Sequence, residues 1–584
     1  MKRTVKLFAL AVFAAEFGSA LVPGFASQQS PQTPSQSAQT PNQPPPGVPS
    51  PTPASGSPGS SAPPTATSPQ TAPPQTAAAV PPKPSAPLLS PALLAAQELY
   101  RRGKFGEALV AYNALVSAGG LDAANAYAGL TRVYLRQKKP ADALAAAQKA
   151  VALDPNLAAA HTSLGEAYYR LGKIVDAERE FRFSLTNKRP DARAYLGLNH
   201  LYRATSNYKS AKAALEIAHN YDPADPDIRR PWLSTLALKE YISALQEYLA
   251  GATDDDGESR EYLQHTLTVL QDEANRPAHG CHLITKMTST ETKLVEIPRL
   301  GISILGYGLQ VKLNDVSARL HLSTGGHGIY VSSKIAENAG IQHVVDQQIG
   351  GIGEEGKVSG YIGFANSIQV GDLQFENCYV TVVDSTALYG QDGLIGADVF
   401  ESYLIDVDFP RKRFELSELP KRPEESPEAA SLVSGPTSTY HPHDRYIAPE
   451  MQNYTRAYRF GPRLLIPTSV NDHPEELFEL NSGMFDNTIS QNAARESTNI
   501  YSNGRTYIQG INGRKEVNLT EVSLAFAHFR EKKTIVALDL TNVSNSAGTE
   551  ISGMLGFGML VMLDVKIDYR DGLVDFTYDP NRHH

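Results

Sequence analysis

From about residue 91 apolar residues recur at helical spacing, and the pattern itself repeats: Tyr100, Tyr134, Tyr168 and Tyr202 stand 34 residues apart. Ala143, Ala177 and Ala211 keep the same interval, Ala108 falls one residue out of step, and Pro155, Pro190 and Pro223 close successive units after "LDP", "KRP" and "YDP". The pattern predicts antiparallel helix pairs, each leaving an apolar face that only the next pair covers, with small alanines allowing close crossing. "PWLSTLALKEYISALQEYLAG" and "SREYLQHTLTVLQDEA" read as capping helices that end the array near 275. After 278 the period changes to alternation, rich in Val, Ile, Tyr and Gly, and the rest of the chain reads as β structure.

A Pro/Ser/Glu-rich connector at 419–440 divides the β region into parts of similar size, 278–418 and 441–584, and the two can be laid over one another. "ARLHLSTGGHGIYVSSKIAENAG" is followed by "DGLIGADVFESYLIDVDFPRKRFEL", and "ELFELNSGMFDNTISQNAA" by "SGMLGFGMLVMLDVKIDYRDGLVDF". Ser323 to Gly396 is 73 residues and Asn481 to Gly556 is 75, while Gly396 to Asp408 and Gly556 to Asp568 are 12 each. Shared spacing at both ends implies an internal duplication. Each copy carries a Gly-rich hairpin in between, "IGGIGEEGKVSGYIGF" and "YSNGRTYIQGINGRKE".

The ends and the composition set the setting. Lys2, Arg3 and Lys6 precede an apolar run with Gly24 and Ala26 placed for cleavage, so 1–26 reads as an export signal, although an uncleaved anchor interrupted by Glu16 is the alternative. Residues 27–90 hold 19 of the 40 prolines and a single charge, Lys83, a composition that buries too little apolar surface to fold and reads as a disordered spacer. A net charge of −9 without a basic stripe argues against nucleic acid as a partner. No later segment is apolar enough to span a bilayer, and export makes a bridge between Cys281 and Cys378 possible, two buried thiols being the other reading.

Two resemblances follow. Over about 91–225 the chain resembles tetratricopeptide repeats, most clearly in "HTSLGEAYYRLGKIVDAEREF", where Leu164, Gly165, Tyr168, Gly172, Ala177 and Phe181 fall at that family's positions. This implies an α-solenoid over 91–275 that binds proteins or peptides, a rigid spacer being the plainer alternative. Each β copy resembles a retropepsin-type aspartic protease domain. The matching residues are Thr324 and Gly325, Ser482 and Gly483, "LIG" at 394–396 and "MLG" at 554–556. The fold class expected is therefore multidomain: a helical solenoid followed by two all-β acid-protease barrels forming a bilobal unit that pairs within the chain.

The departure from the family falls on the acids, where Ser323 and Asn481 stand in place of the dyad aspartates. Peptide hydrolysis by this fold needs two carboxylates sharing a proton. Serine holds no charge near neutral pH, and asparagine only donates and accepts hydrogen bonds. Thr324 and Ser482 remain able to bond across the lobe junction, and Gly325 and Gly483 permit close backbone approach.

Substitute chemistry is weak in the sequence. Asp486 reads as a strand-end aspartate, Asp408 and Asp568 as structural or exposed, and Asp392 and Asp398 as loop caps. Ser323 with His327 lacks an evident orienting acid, and "HPHD" at 441–444 reads as a solvated loop. No cofactor or metal is expected. The reading is an exported, periplasmic or extracellular, bacterial-type pseudo-protease binding a protein or extended peptide, with a secreted aspartic endopeptidase or a structural assembly subunit as alternatives.

Overall fold

The computed structural model describes residues 89–578 and 10–11, apart from 187–190, 252–256, 277–280, 286, 299–303, 351–357, 385–387, 389–390, 424–442 and 511–512. The expected signal and spacer therefore lie almost wholly outside the described residues, as do Pro190, most of the 419–440 connector and the tips of both Gly-rich hairpins. The chain is multidomain, a helical repeat region followed by a β-rich region resembling the aspartic protease fold.

Four helix pairs form the repeats: α1 (Pro91–Arg101) with α2 (Phe105–Ala118), α3 (Ala123–Arg136) with α4 (Pro140–Leu153), α5 (Ala158–Arg170) with α6 (Ile174–Leu185), and α7 (Ala192–Ala204) with α8 (Tyr208–Tyr221). Tyr100, Tyr134, Tyr168 and Tyr202 all fall near the end of the first helix of a pair, and Ala108, Ala143, Ala177 and Ala211 are buried in the second. Pro140 sits at the start of α4, where its missing N–H is no loss.

The 34-residue period also sets the contact inside each pair. The Thr131 hydroxyl reaches the Ala143 carbonyl at 3.4 Å, and two repeats later the Asn199 amide donates to the Ala211 carbonyl at 2.7 Å. The equivalent residue between them is Gly165, which has no side chain to reach across. A Cβ there would lie 2.7 Å from the Phe181 ring, and one on Gly197 would lie 2.4 Å from the same ring. Phe181 fills the space both glycines leave.

The array ends in three helices rather than the two expected: α9 (Pro226–Leu233), α10 (Leu238–Gly251) and α11 (Gly257–Asn275). Asp225 caps α9 by accepting from the Asp227 N–H, and Pro226 stands at its first position. The last helix does more than cap, because Val269 packs with Ile362, Phe364 and Tyr379 of the first β lobe and the Tyr379 hydroxyl donates to Asp272 at 2.7 Å.

Each β copy places its critical strands in one register. The strand Val316–Ser323 pairs in parallel with Gly393–Gly396, setting Ser323 opposite Gly396. The strand Glu476–Asn481 pairs in parallel with Gly553–Gly556, setting Asn481 opposite Gly556. Equal spacing in sequence thus becomes equal pairing in space. Beneath the copies runs a six-stranded sheet to which both contribute, its seam formed by antiparallel pairing of Tyr403–Asp408 with Asp564–Asp568. Ile405, Val407, Val565 and Ile567 are buried along that seam.

The repeats dock on the second lobe. Ile174, Leu198 and Leu201 share one apolar cluster with Phe460, Leu465, Leu477, Met484 and Ile551. Polar contacts frame it: the Glu550 N–H donates to the Arg170 carbonyl at 2.9 Å, and the Thr549 hydroxyl to the Tyr169 carbonyl at 2.8 Å. The "HPHD" segment is not a solvated loop at its described end. The His443 carbonyl accepts from the Tyr208 N–H at 2.9 Å, and the Asp444 carboxylate accepts from the Ser210 N–H and hydroxyl at 2.9 and 2.8 Å. A carboxylate on the free N–H groups that open α8 is favourable for both.

Replacing Gly197 by Val should overpack the Phe181 ring and cost about 1–3 kcal/mol, read as a lowered midpoint in helical circular dichroism. An unchanged midpoint would contradict this packing.

Candidate functional site

The site is the meeting of two loops, each at the end of an inward-facing strand. Thr324 and Ser482 exchange hydrogen bonds across it. The Thr324 N–H donates to the Ser482 hydroxyl at 3.1 Å and the Ser482 N–H to the Thr324 hydroxyl at 2.9 Å. The Thr324 hydroxyl in turn donates to the Leu480 carbonyl, and the Ser482 hydroxyl to the Leu322 carbonyl, each at 2.9 Å. The arrangement is two-fold symmetric although the residue types differ. The Tyr569 hydroxyl adds a bond to the Thr324 carbonyl at 3.2 Å.

The glycines are fixed by the same closeness. A Cβ on Gly325 would sit 2.5 Å from the Asn481 amide carbon, and one on Gly483 would sit 2.5 Å from the Ser323 hydroxyl oxygen. Gly325 thus lies against Asn481 of the other loop, and Gly483 against Ser323.

Those two positions face one another. The Ser323 hydroxyl donates to Asn481 Oδ1 at 3.4 Å, and the same oxygen accepts from the Gly483 N–H at 3.1 Å. Ser323 is 0% and Asn481 2% exposed, so both are buried, and the Asn481 amide nitrogen is directed to Met554 Sδ at 3.9 Å.

Behind Asn481 lies a residue the sequence reading passed over. Glu479 is buried, and its Oε1 would be 2.7 Å from a Cβ on Gly325, in the same crevice as the Asn481 amide nitrogen. Arg463, on the neighbouring strand that pairs Leu465 with Glu479, approaches Glu479 Oε1 with Nε at 3.2 Å. Burial pushes the Glu479 carboxyl up to about 7 against the opposing pull of Arg463 and Asn481. The first copy has His321 at the equivalent position, two residues before its loop. It is buried against Gly306, and burial pushes its pKa down to about 4. A polar residue two positions before each loop, on strands otherwise apolar, was the signal available in "RLHLS" and "LFELN".

His327 does have an orienting acid. Its Nδ1 lies 2.6 Å from Asp398 Oδ2, and Asp398 also accepts from the Gly328 N–H at 3.0 Å. Partial desolvation of this 43% exposed side chain works against the imidazolium, but Asp398 outweighs it and holds the pKa above its ordinary value. The Ser323 hydroxyl points across the junction to Asn481 rather than to this histidine, so no serine nucleophile is assembled.

Of the other acids, the Asp408 carboxylate accepts from the Arg411 N–H at 3.1 Å and that of Asp568 from the Asp571 N–H at 3.0 Å, both as turn caps. Asp392 does not cap its own loop in this contact but accepts from the Arg319 N–H of the strand Val316–Ser323 at 2.9 Å. Asp406 and Asp564, one from each lobe, do meet. Burial and the neighbouring Asp564 carboxyl push Asp406 up to about 7, against Lys566 and Arg413. They belong to the six-stranded sheet and not to the loops. Cys281 and Cys378 are joined by a disulfide.

The helical part and the loop-bearing part each have relatives. The family described as "gag-polyprotein putative aspartyl protease" matches residues 309–402, and the TPR repeat family matches 132–172. The chain is 25% identical over 248 residues to DNA damage-inducible protein 1 of Neurospora crassa; this is 37% of the chain and spans 56% of that relative's length. Among solved structures, the aspartic proteinase from Irpex lacteus covers 50% of this chain and 98% of its own at 10% identity, with a TM-score of 0.29. A thermophilic TPR protein of Thermus thermophilus covers 31% of this chain and 97% of its own at 20% identity, with a TM-score of 0.24.

Stability should depend on pH with a definite sign. Glu479 and Asp406 hold their protons in the fold to about pH 7 but release them near 4 when unfolded, so stability declines as pH rises through that window. Buried neutral His321 has the opposite slope below about pH 6.5, so the test is differential: relative to the unmodified protein, Glu479→Gln and Asp406→Asn should each gain stability as pH rises from 5 to 7.5, on the order of 1–3 kcal/mol. A variant whose difference from the unmodified protein stays constant over this range would refute its assignment.

Proposed function

We propose that this chain is an exported, non-catalytic member of the aspartic protease fold: two tandem retropepsin-like lobes, paired within the chain, that have lost both dyad acids and act with the repeats to bind a protein or extended peptide. The observation that carries the reading is the Ser323–Asn481 contact itself. A hydroxyl and an amide occupy the places where a water would have to be polarised between two carboxylates, and both are buried.

Other features support the parts of this reading. The seam of the six-stranded sheet favours pairing of the lobes within the chain. The disulfide favours an oxidising compartment and so agrees with export. TPR repeats are a common platform for protein partners. A peptide laid over the loops meets His327, whose side chain is 43% exposed, rather than Ser323 and Asn481.

The test is a peptide library offered from acid to neutral pH, with and without pepstatin. The unmodified protein should cleave nothing; pepstatin-sensitive cleavage would sink the proposal. The variant S323D/N481D should also remain inactive, because the protonated Glu479 carboxyl in the same buried crevice would donate to the new carboxylate at 481 and conflict with its sharing a proton with the one at 323. Adding Glu479→Val removes that conflict, and cleavage is expected to appear first in the triple variant. Recovery by the double variant alone would show that Glu479 imposes no such block.

A further inference from the structure

Where the ends of the repeat helices meet the second lobe, the chain encloses a cavity of about 340 Å³, and no residue of the loop junction lines it. One wall comes from the turn between α3 and α4, with Lys138 and Ala141, and from the end of α5, with Arg170. The other comes from the second lobe, from the starts of the short helices Gln491–Ser497 and Thr541–Ala547 and from Glu550. The volume lies within the range that small-molecule sites occupy, roughly 300–1,000 Å³. A Cβ on Gly172, just past α5, would lie 3.2 Å from the Glu550 carbonyl oxygen, so close backbone contact sets the separation of the two walls.

Two opposite charges stand side by side in this cavity without pairing. The Glu550 N–H donates to the Arg170 carbonyl at 2.9 Å, so the residues adjoin, yet among the described residues neither side chain takes an ion-pair partner. Arg170 spends its guanidinium on neutral acceptors, Nη1 on the Ser544 carbonyl at 2.8 Å and Nη2 on Asn545 Oδ1. Burial pulls its pKa below the ordinary arginine value. Glu550 is the mirror case: burial pushes its carboxyl up, nearby Glu476 and Glu496 add to the rise, and Asn492 and Arg170 oppose it. A partly desolvated cation and a partly desolvated carboxylate, each short of a counter-charge, are costly to keep. A ligand that carries both charges supplies what each lacks.

We propose that this cavity binds a free α-amino acid, with its carboxylate on Arg170 and its ammonium on Glu550. An α-amino acid bears both charges on one carbon, which suits a cation and an acid on adjoining residues. A simple carboxylic acid or amine answers only one of them. Gln491, Thr541 and Asn545 give the rest of the wall a polar lining for the ligand's side chain. Because one wall is repeat and the other is lobe, the bound amino acid would bridge the two halves of the chain. The proposal does not depend on whether the loops cleave peptides.

The experiment titrates the full chain by isothermal calorimetry with each common L-α-amino acid in turn, and with propionate, ethylamine and inorganic phosphate as controls. At least one amino acid should bind saturably, and the controls should not. Glu550→Gln keeps the side-chain shape and an acceptor for Asn492 but removes the charge, and should weaken binding about tenfold. Ala141→Trp, at an exposed position on the mouth of the cavity, should abolish it. No binding of any amino acid would overturn the proposal and leave a solvent-filled cavity. Binding that Ala141→Trp leaves intact, or a control that binds as tightly as the best amino acid, would overturn it equally. Should Glu550→Gln lose helical circular dichroism, Ala141→Trp decides alone, because a surface substitution leaves the packing undisturbed.

Discussion

The exchange of hydrogen bonds between Thr324 and Ser482 is the constraint from which the β half of the molecule follows. Two hydroxyls, two amide N–H groups and two carbonyls are all buried, and each finds its partner on the opposite lobe. Separating the lobes would break all four of these hydrogen bonds at once, and each buried group left unsatisfied costs roughly 1–3 kcal/mol. The loops must approach so closely that glycine is required at 325 and 483. The six-stranded sheet below extends the same junction through main-chain pairing. Nothing in this lock needs a carboxylate, so the junction holds with Ser323 and Asn481 beside it.

The residue types at 323 and 481 nonetheless matter to their neighbours. A carboxylate at 481 would lie beside the Glu479 carboxyl in a crevice sealed from water, with Arg463 as the nearby counter-charge. An amide there can turn its NH₂ toward Glu479 while its oxygen accepts from Ser323 and Gly483. Asn481, Glu479 and Arg463 therefore form one electrostatic unit, and the identity at 481 is explained by the residue two before it. The first lobe solves the same position differently, with a neutral buried His321, so the two-fold symmetry of the backbone is not carried into the charges.

The sequence exposed what is periodic or repeated and hid what depends on facing surfaces. The 34-residue spacing placed the paired helices, and the equal intervals from Ser323 to Gly396 and from Asn481 to Gly556 anticipated equivalent strand pairing. Thr324 and Ser482 were legible because their neighbours fix their place in the loop. Glu479 was not, because an acid on a short strand reads as solvent-facing when both its faces are in fact covered. Asp398 lies 71 residues from His327, and only the fold brings them together. The anchoring of Asp444 on α8 was equally out of reach, since it depends on how the repeats sit against the second lobe.

That docking gives the two halves of the chain a physical connection at the site. Met484, three residues after Asn481, belongs to the loop and also to the apolar cluster that the repeats share with the second lobe. Its N–H donates to the Asn481 carbonyl at 3.1 Å, and its own carbonyl accepts from the Phe557 N–H at 2.6 Å. Close-packed interiors transmit displacement because they have no slack to absorb it. A change in the repeats that moves α5 to α7 must therefore repack around the second loop. The first loop is reached by another route, through α11 on the base of its own hairpin. The two loops are held by one set of hydrogen bonds but supported by different helices, so strain arriving from the repeats falls unequally on them, and the Thr324–Ser482 exchange is where that inequality must be borne.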